Sequence, residues 1–206
     1  MSHLSCADDY YSTNNNLQIK NFINFIQDPK ISKYKSLKSL CNSAGIFNFP
    51  DHQYDVVRPG LALYGVSPII GKKAHDLGLK PVMTLKTKII AIKRLSKYSL
   101  VGYGGRFICP EDLKVAIIAI GYGDGYPRSA IDGTPVLVNG KRCKLIGKVS
   151  MDMAAIDLSN CPTATFGDPV VLWGNDLPIE EVASFTQNSV YDLLTAVQHR
   201  VKFNWS

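Results

Sequence analysis

The sequence contains no apolar run long enough to cross a membrane, which takes about twenty consecutive apolar residues. Its first residues, "MSHLSCADDYYSTNNN", lack the basic and apolar regions of a secretory signal. No Cys-x-x-Cys pair and no cysteine–histidine cluster has the spacing of a zinc site. We therefore expect no metal, no membrane partner, a cytoplasmic location, and unpaired thiols at the five separated cysteines, Cys6, Cys41, Cys109, Cys143 and Cys161.

Charged residues are also scarce, at 19% against 46% hydrophobic residues over 206 positions. This balance is typical of a soluble globular protein with a buried core. The net charge is +6, but the densest basic stretch, 28–38, carries no nucleic-acid motif. A solvated basic face is the simpler interpretation, so we expect no nucleic-acid partner. A mildly basic surface would also suit an anionic small molecule.

The first eighty residues have an α/β pattern. Apolar residues in 17–27 follow the i, i+3, i+4, i+7 spacing of one helix face: Ile19, Phe22, Ile23 and Ile26. The segments 36–47 and 54–65 read as short strands that run into loops, and Pro59 ends the second strand because proline cannot donate to a ladder. Strand, helix and strand at this spacing predict parallel βα units.

The rest of the chain has a β pattern. Short apolar and β-branched runs separated by turn residues predict strands at 84–95, 114–120, 135–138, 143–149, 153–158 and 169–173. Asn139-Gly140 is the strongest hairpin signal, since a type I′ turn needs positive φ at both central residues. Two short helices are expected near 178–186 and 190–198, the second with Ser189 as its N-cap.

Several residues could carry chemistry, although each has a plain structural alternative. Arg58 ends an apolar strand, where it could face a site rim or sit in a structural ion pair. The segment 41–45, "CNSAG", could bring backbone N–H groups to a phosphate or form an ordinary turn. His3 alone is more commonly a structural histidine. Tyr103 and Tyr122 each lie between two glycines, which is usually only a tight bend.

Eight motifs in combination resemble the later part of bacterial alanine racemases, in the same order and at similar spacing. They extend from residue 1 to about 203: "MSHLSCAD", "CNSAG", "DVVRPGLALYG", "VGYGGRF", "IGYGDGYPR", "VNGKRCKLIGKVSMD", "GDPVVLWG" and "VYDLLTAVQHRV". The resemblance implies an isomerase that interconverts L- and D-alanine with pyridoxal 5′-phosphate (PLP), supplying D-alanine for peptidoglycan. It also implies a homodimer whose active site is shared between subunits.

The resemblance implies the fold class α/β + β: the end of a PLP-binding (β/α)8 TIM-like barrel in 1–78, then a mostly β C-terminal domain in 79–206. Members of the family bond PLP covalently to a lysine in a motif like "VVKANAYGHG". Nothing in the sequence matches that motif. We therefore expect a truncated or split reading frame, or a fragment, that is inactive by itself.

The resemblance also implies roles for individual residues. Racemisation needs acid/base groups on opposite faces of the substrate Cα, with PLP as electron sink. Tyr103 matches the catalytic tyrosine, and Tyr122 and Met151 match residues at the substrate. The expected cofactor contacts are His3, Ser43, Arg58, Gly60 and Leu61. The expected entryway positions are Asp8, Arg128 and Lys148, where many relatives have arginine at the last. His199 stands where some relatives place a tyrosine that touches the phosphate.

Two alternatives stay open on the sequence. One is a related PLP-dependent racemase acting on serine or another small amino acid, since substrate selection depends partly on residues outside these motifs. The other is a non-catalytic fragment that dimerises, or that binds a full-length racemase, which the unmatched lysine motif favours.

Overall fold

The computed structural model describes residues 1–205, which form two compact units. The N-terminal unit is Met1–Val82, and the C-terminal unit begins at Met83. No helix within residues 1–205 is long and apolar enough to span a membrane.

Helices and turns make up the N-terminal unit. α1 is Thr13–Gln27, α2 is Pro29–Ser32 and α3 is Ser43–Asn48, followed by 3-10 turns at Pro50–His52, Leu61–Tyr64 and Ala74–Leu77. The predicted helix is confirmed, and it begins four residues earlier than the apolar pattern did. Its Ile19 and Phe22 are buried in a core with Leu4, Ala7, Leu40, Cys41 and Ala44.

The two strands expected in this unit do not form ladders, so that prediction is wrong. The segments do run parallel, but they share one isolated bridge, between Asn42 and Arg58. The Arg58 amide donates to the Cys41 carbonyl at 2.9 Å, and Asp55 donates to Lys38 at 3.1 Å. Pro59 has no amide hydrogen, so the pairing stops one residue after the bridge.

Within residues 83–205, the C-terminal unit forms eight strands, six of which close into a barrel in the order β1-β4-β7-β6-β5-β8. Every neighbouring pair in the barrel is antiparallel. The strands are β1 Leu85–Leu95, β2 Leu100–Val101, β3 Phe107–Ile108, β4 Leu113–Ile118, β5 Pro135–Val138, β6 Lys141–Ile146, β7 Ala154–Asp157 and β8 Pro169–Trp173. The mostly β domain predicted from the sequence is confirmed, including all six barrel strands. The β2–β3 pair was not predicted, because two-residue strands are too short to show alternation.

Local signals in this unit also held. Asn139 and Gly140 have φ values of 49° and 76°, as a type I′ turn between β5 and β6 requires. The helices α4 Ile179–Ala183 and α5 Val190–Ala196 follow the barrel. Ser189 caps α5, since its hydroxyl accepts from the Asp192 amide at 3.2 Å. The five cysteines are all free thiols.

Candidate active site

Arg58 does not end a strand, as the sequence predicted, but is one of the two residues of the isolated parallel bridge. One terminal nitrogen, Nη1, donates to the Ser39 hydroxyl. The other, Nη2, donates to the Ser2 carbonyl at 2.6 Å and to the Leu40 carbonyl at 3.2 Å, and it lies 3.3 Å from Nδ1 of His3. The guanidinium is therefore fixed by acceptors from two segments of the N-terminal unit, 2–3 and 39–40, as expected of a residue held by partners.

His3 faces a hydrogen-bond donor at each ring nitrogen. Nδ1 faces the Arg58 guanidinium, and Nε2 lies 3.1 Å from the side-chain nitrogen of Asn42. The Asn42 amide orientation follows from its oxygen, which accepts from the Gly45 amide at 3.0 Å. Because a neutral imidazole accepts at only one nitrogen, only one of the two contacts can be a full hydrogen bond.

Ser43 and Gly60 are also together, as the sequence predicted. The buried Ser43 hydroxyl oxygen accepts from the Gly60 amide at 2.6 Å and from the Ala62 amide at 3.3 Å. Its lone pairs are thereby engaged, and its hydrogen stays available to an anionic acceptor. Gly60 precedes the turn that begins at Leu61. Asp8, the expected entryway residue of this unit, is exposed.

Tyr103 occupies a tight turn, Tyr103–Gly105, between β2 and β3. Its side chain is 70% exposed. Gly102 has a φ of 79°, and a Cβ built on it would lie 2.6 Å from the Lys148 amide nitrogen. The glycine therefore allows close backbone packing next to Tyr103, whose side chain stays exposed.

Tyr122 begins a second such turn, Tyr122–Asp124. The Arg128 guanidinium lies over its ring, 5.5 Å from the centroid, so these two expected site residues are neighbours. The Tyr122 amide donates to Ser150 at 3.0 Å, and the Gly123 amide donates to Met151 at 2.8 Å. Met151 is thereby placed beside the Tyr122 turn with its carbonyl engaged.

Arg200 completes this group, and sequence reasoning gave it no role. Its Nε lies 2.8 Å from Asp124, and its Nη2 lies 2.7 Å from Asp152 and 3.4 Å from the Met151 carbonyl. Hydrogen bonds with the two carboxylates raise the pKa of Arg200 further above its usual range. Because Arg200 is far from Asp124 and Asp152 in the chain, no local sequence pattern predicts these contacts. His199, next to it, is exposed.

A further arginine missed by the sequence lies beside the Tyr103 turn. Arg106 donates to Asp132 at 3.1 Å and to the carbonyls of Ala130 and Gly147, at 3.2 and 2.7 Å. Lys148, the expected entryway cation, directly follows Gly147 and is exposed. Within residues 1–205, no group of three or more histidine, cysteine or acidic side chains could hold a metal ion.

Two family models match the chain, one described as alanine racemase, N-terminal domain, over residues 1–68, and one as alanine racemase, C-terminal domain, over residues 82–205. An alanine racemase of Coxiella burnetii is 49% identical over 98% of this chain, which spans 56% of that relative's length. One from Piscirickettsia salmonis is 51% identical over 80% of this chain and 99% of that relative.

Solved structures agree with these matches. The biosynthetic alanine racemase of Pseudomonas aeruginosa superimposes with a TM-score of 0.93 at 40% identity, over 99% of this chain and 56% of that one. An alanine racemase of Bartonella henselae, described with covalently bound pyridoxal phosphate, has a TM-score of 0.85 at 32% identity, over 97% of this chain and 54% of that one. The chain thus spans about half the length of several of its relatives.

Proposed function

Because this chain belongs to the alanine racemase family, we propose that it supplies the later part of a PLP-dependent isomerase that interconverts L- and D-alanine. Residues 1–78 are proposed as the end of the α/β barrel, and 79–206 as the C-terminal β domain. We also propose a cytoplasmic homodimer with an active site shared between subunits, which provides D-alanine for peptidoglycan.

The observation that carries the proposal is the arrangement of donors in the N-terminal unit. Arg58, fixed by its acceptors, offers a donor that does not surrender its proton, which suits the ring nitrogen of PLP. Ser43 offers a hydroxyl hydrogen, which suits a phosphate, beside the Gly60–Leu61 turn. The Gly60 amide now donates to the Ser43 oxygen and would exchange that acceptor for a phosphate oxygen. PLP, when bound there, withdraws electrons from the substrate Cα.

Arg58 has a second consequence for the chemistry. A guanidinium stays protonated and donates a hydrogen bond without giving up its proton, so the ring nitrogen beside it would stay unprotonated. This tempers the electron withdrawal and disfavours transamination. His3 also lies against Arg58, and Asn42 in turn contacts the other ring nitrogen of His3.

The C-terminal unit is proposed to supply the acid/base and substrate contacts. Tyr103 would take or return the Cα proton on one face of the substrate. Since a tyrosine has an ordinary pKa of about 10, this requires a nearby positive charge in the assembled site. Tyr122, with Arg128 over its ring, would line the substrate path. The Met151 backbone N–H would donate to the substrate carboxylate from the partner subunit, as the family resemblance implies, in a backbone segment that the Gly123 amide holds through the Met151 carbonyl.

The test joins this chain to the N-terminal segment of the Coxiella burnetii relative, which is 49% identical over the matched region. We expect this fusion enzyme to bind PLP and to form D-alanine from L-alanine. The 206-residue chain alone should show no turnover above free PLP. Faster turnover of serine by the fusion enzyme would redirect the substrate assignment, and a folded, PLP-loaded but inert fusion enzyme would refute the proposed activity.

The chain alone provides a second arm of the test. Borohydride reduction in the presence of PLP should modify surface lysines without selectivity. A single trapped lysine together with turnover would show that one of the lysines present here performs the cofactor-bonding role, contrary to our account. Sedimentation of the same sample tests the non-catalytic alternative, in which the chain only dimerises.

A further inference from the structure

One ion pair of the C-terminal unit holds the backbone of Gly147 at both its N–H and its carbonyl. The Gly147 amide donates to Asp132 at 2.6 Å, and its carbonyl accepts from Arg106 at 2.7 Å. Arg106 and Asp132 also bond to each other at 3.1 Å, and the two side chains are about one third exposed. The three residues form a closed hydrogen-bonded triangle, which we call the Arg106–Asp132 latch.

The latch lies against the turn that presents Tyr103. Gly102 and Gly147 both have positive φ, 79° and 71°. A Cβ on Gly147 would lie 2.9 Å from the Val101 carbonyl, and one on Gly102 would lie 2.6 Å from the Lys148 nitrogen. The two glycines therefore let the Tyr103 hairpin and the segment after β6 touch backbone to backbone.

The base of the hairpin is anchored in a small core, where Val101 and Cys109 are buried with Ile146, but Tyr103 itself is exposed outside that core. β2 and β3 contain two residues each, and such a short pair is marginal by itself. Arg106 is the residue that ends the Tyr103 turn, and its side chain reaches Ala130 as well as Gly147. Hydrogen bonds to charged groups are the stronger class in proteins, so the latch adds a directional hold on this turn beyond the apolar packing at its base.

We propose that Arg106 and Asp132 are positioning residues, which set the direction in which the Tyr103 phenol leaves the domain. The proposal rests on the proposed function, in which Tyr103 transfers the Cα proton on one face. Proton transfer depends on alignment, and a displacement of about 1 Å can lower a rate by about 100-fold. A loosened latch should therefore impair the step at Tyr103 while leaving substrate binding nearly unchanged.

The test uses Arg106→Lys, which keeps the charge but loses the forked geometry, and Asp132→Asn, which keeps the shape but loses the charge. Arg142→Lys is the matched control, because Arg142 forms an exposed pair with Glu181 in the same unit. In the 206-residue chain, we expect amide exchange at Gly105 and Gly147 to rise by about 10- to 100-fold in both latch variants and to stay within about twofold in the control.

The second readout is solvent exchange of the Cα hydrogen in the fusion enzyme. The two alanine enantiomers have equal free energy, so overall rates in the two directions are tied, and exchange from each enantiomer is the informative quantity. We expect exchange from the enantiomer that faces Tyr103 to fall about 10- to 100-fold more than exchange from the other, with KM within about twofold. Arg106→Lys should be affected less than Arg106→Ala.

Two results would overturn the latch: unchanged amide exchange at Gly105 and Gly147, or an equal loss for both enantiomers that follows a lower Tm. An inactive parent fusion enzyme would count against the proposed function only. In that case the amide exchange of the 206-residue chain still decides whether the latch holds the turn.

Discussion

The N-terminal and C-terminal units place their candidate site residues by different means. In the C-terminal unit, six antiparallel strands close on themselves, and the separate β2–β3 pair that carries the Tyr103 turn touches the segment after β6 backbone to backbone. In the N-terminal unit, one isolated bridge joins the segments that carry Asn42 and Arg58, and the site is held by side-chain hydrogen bonds. A closed ladder fixes backbone positions, whereas side-chain contacts fix only the groups that make them.

This difference suits the two proposed tasks. A phosphate or a ring nitrogen is bound by a set of donors, and the set in the N-terminal unit can be assembled from short segments. A base that must reach one face of a small substrate needs a fixed origin, and the barrel provides it through the close contact of the β2–β3 pair with the segment after β6. Parallel strands are normally covered on both faces and paired on both sides. Within residues 1–205, the segments 36–47 and 54–65 are paired with each other at one isolated bridge only.

The largest expected effect is that of Tyr103→Phe in the fusion enzyme. Removal of the phenol should slow Cα exchange from the enantiomer that faces Tyr103 by about 100- to 10,000-fold, because general acid/base catalysis contributes in that range. Exchange from the other enantiomer should survive better. The measurement is deuterium wash-in followed by nuclear magnetic resonance.

Tyr122→Phe is the matched control, since Tyr122 lies on a similar turn but is proposed to line the substrate path. This variant should lower the rate of Cα exchange from both enantiomers alike, and by about tenfold or less. Equal, mild effects of Tyr103→Phe on the two enantiomers would remove the basis for assigning proton transfer to the C-terminal unit.

Core truncation compares the two units directly. Leu145, in β6, and Leu40, next to the bridge, are both fully buried. Replacement of either by alanine should cost about 2–5 kcal/mol of its own unit's stability, since it removes buried apolar surface and leaves a cavity. Hydrogen exchange should show Leu145→Ala weakening the barrel amides and Leu40→Ala weakening amides near Cys41. If Leu145→Ala left the barrel amides fully protected, the ladder would not be the cooperative element we describe.

Two buried thiols offer a smaller and more local comparison. Cys41 and Cys143 are almost fully buried, one in each unit. Burial raises the pKa of Cys143 to about 11 and also raises the pKa of Cys41, partly offset by Arg58. Neither thiol should react appreciably at pH 8 until its surroundings open.

We expect Cys41 to be alkylated about 30-fold faster than Cys143 in the native chain, equivalent to about 2 kcal/mol in opening free energy. Mass spectrometry after timed labelling measures both rates. Cys6 provides an accessible reference, because hydrogen bonds from Ser5, Asn14 and Ser12 lower its thiol pKa. Equal rates at Cys41 and Cys143 would mean that the single bridge protects its unit as well as the barrel does.

The same contrast explains which features the sequence could predict. The barrel strands could be predicted from local alternation of apolar and polar residues. The Asn139-Gly140 pair predicts a type I′ turn, which its φ values show. The expected neighbours Ser43 and Gly60 are together because each follows a segment joined by the bridge. The two apolar runs of the N-terminal unit could not show whether a ladder would form between them, since strands depend on partners that local patterns do not specify.

The arginine contacts show the same limit for the candidate site. Arg106 meets Asp132, and Arg200 meets Asp124 and Asp152, only because the barrel and its turns bring them together. The local sequence around a charged residue on a turn predicts a solvated surface position and does not identify its ion-pair partner. The motifs indicated Tyr103 and Tyr122, whereas the groups that hold both turns became visible only in the fold.

The smallest expected effect concerns Tyr126, which is fully buried and stacked on Trp173 in the C-terminal unit. Its hydroxyl has no hydrogen-bond partner among residues 1–205, so the folded state bears the cost of desolvating it. Tyr126→Phe keeps the ring and removes that cost, and should leave stability unchanged or raise it by about 1 kcal/mol. Trp173→Phe is the control: the Trp173 indole N–H donates to the Met83 sulfur at 3.4 Å, so its removal should destabilise.

The pH dependence sharpens this last prediction. Burial raises the pKa of Tyr126 above its unfolded value of about 10, so the folded state holds the proton more tightly. Above pH 10, the unfolded state loses the phenol proton before the folded state does, so the parent protein loses stability as the pH rises further, whereas below pH 10 this effect is absent. The stability difference between Tyr126→Phe and the parent, measured by urea unfolding, should be constant up to about pH 9.5 and then grow in favour of the variant. A difference that stayed constant to pH 11 would mean that water reaches the Tyr126 ring in the folded state. The contrast between a sealed C-terminal unit and a loosely paired N-terminal unit would then fail at a fully buried residue of the C-terminal unit.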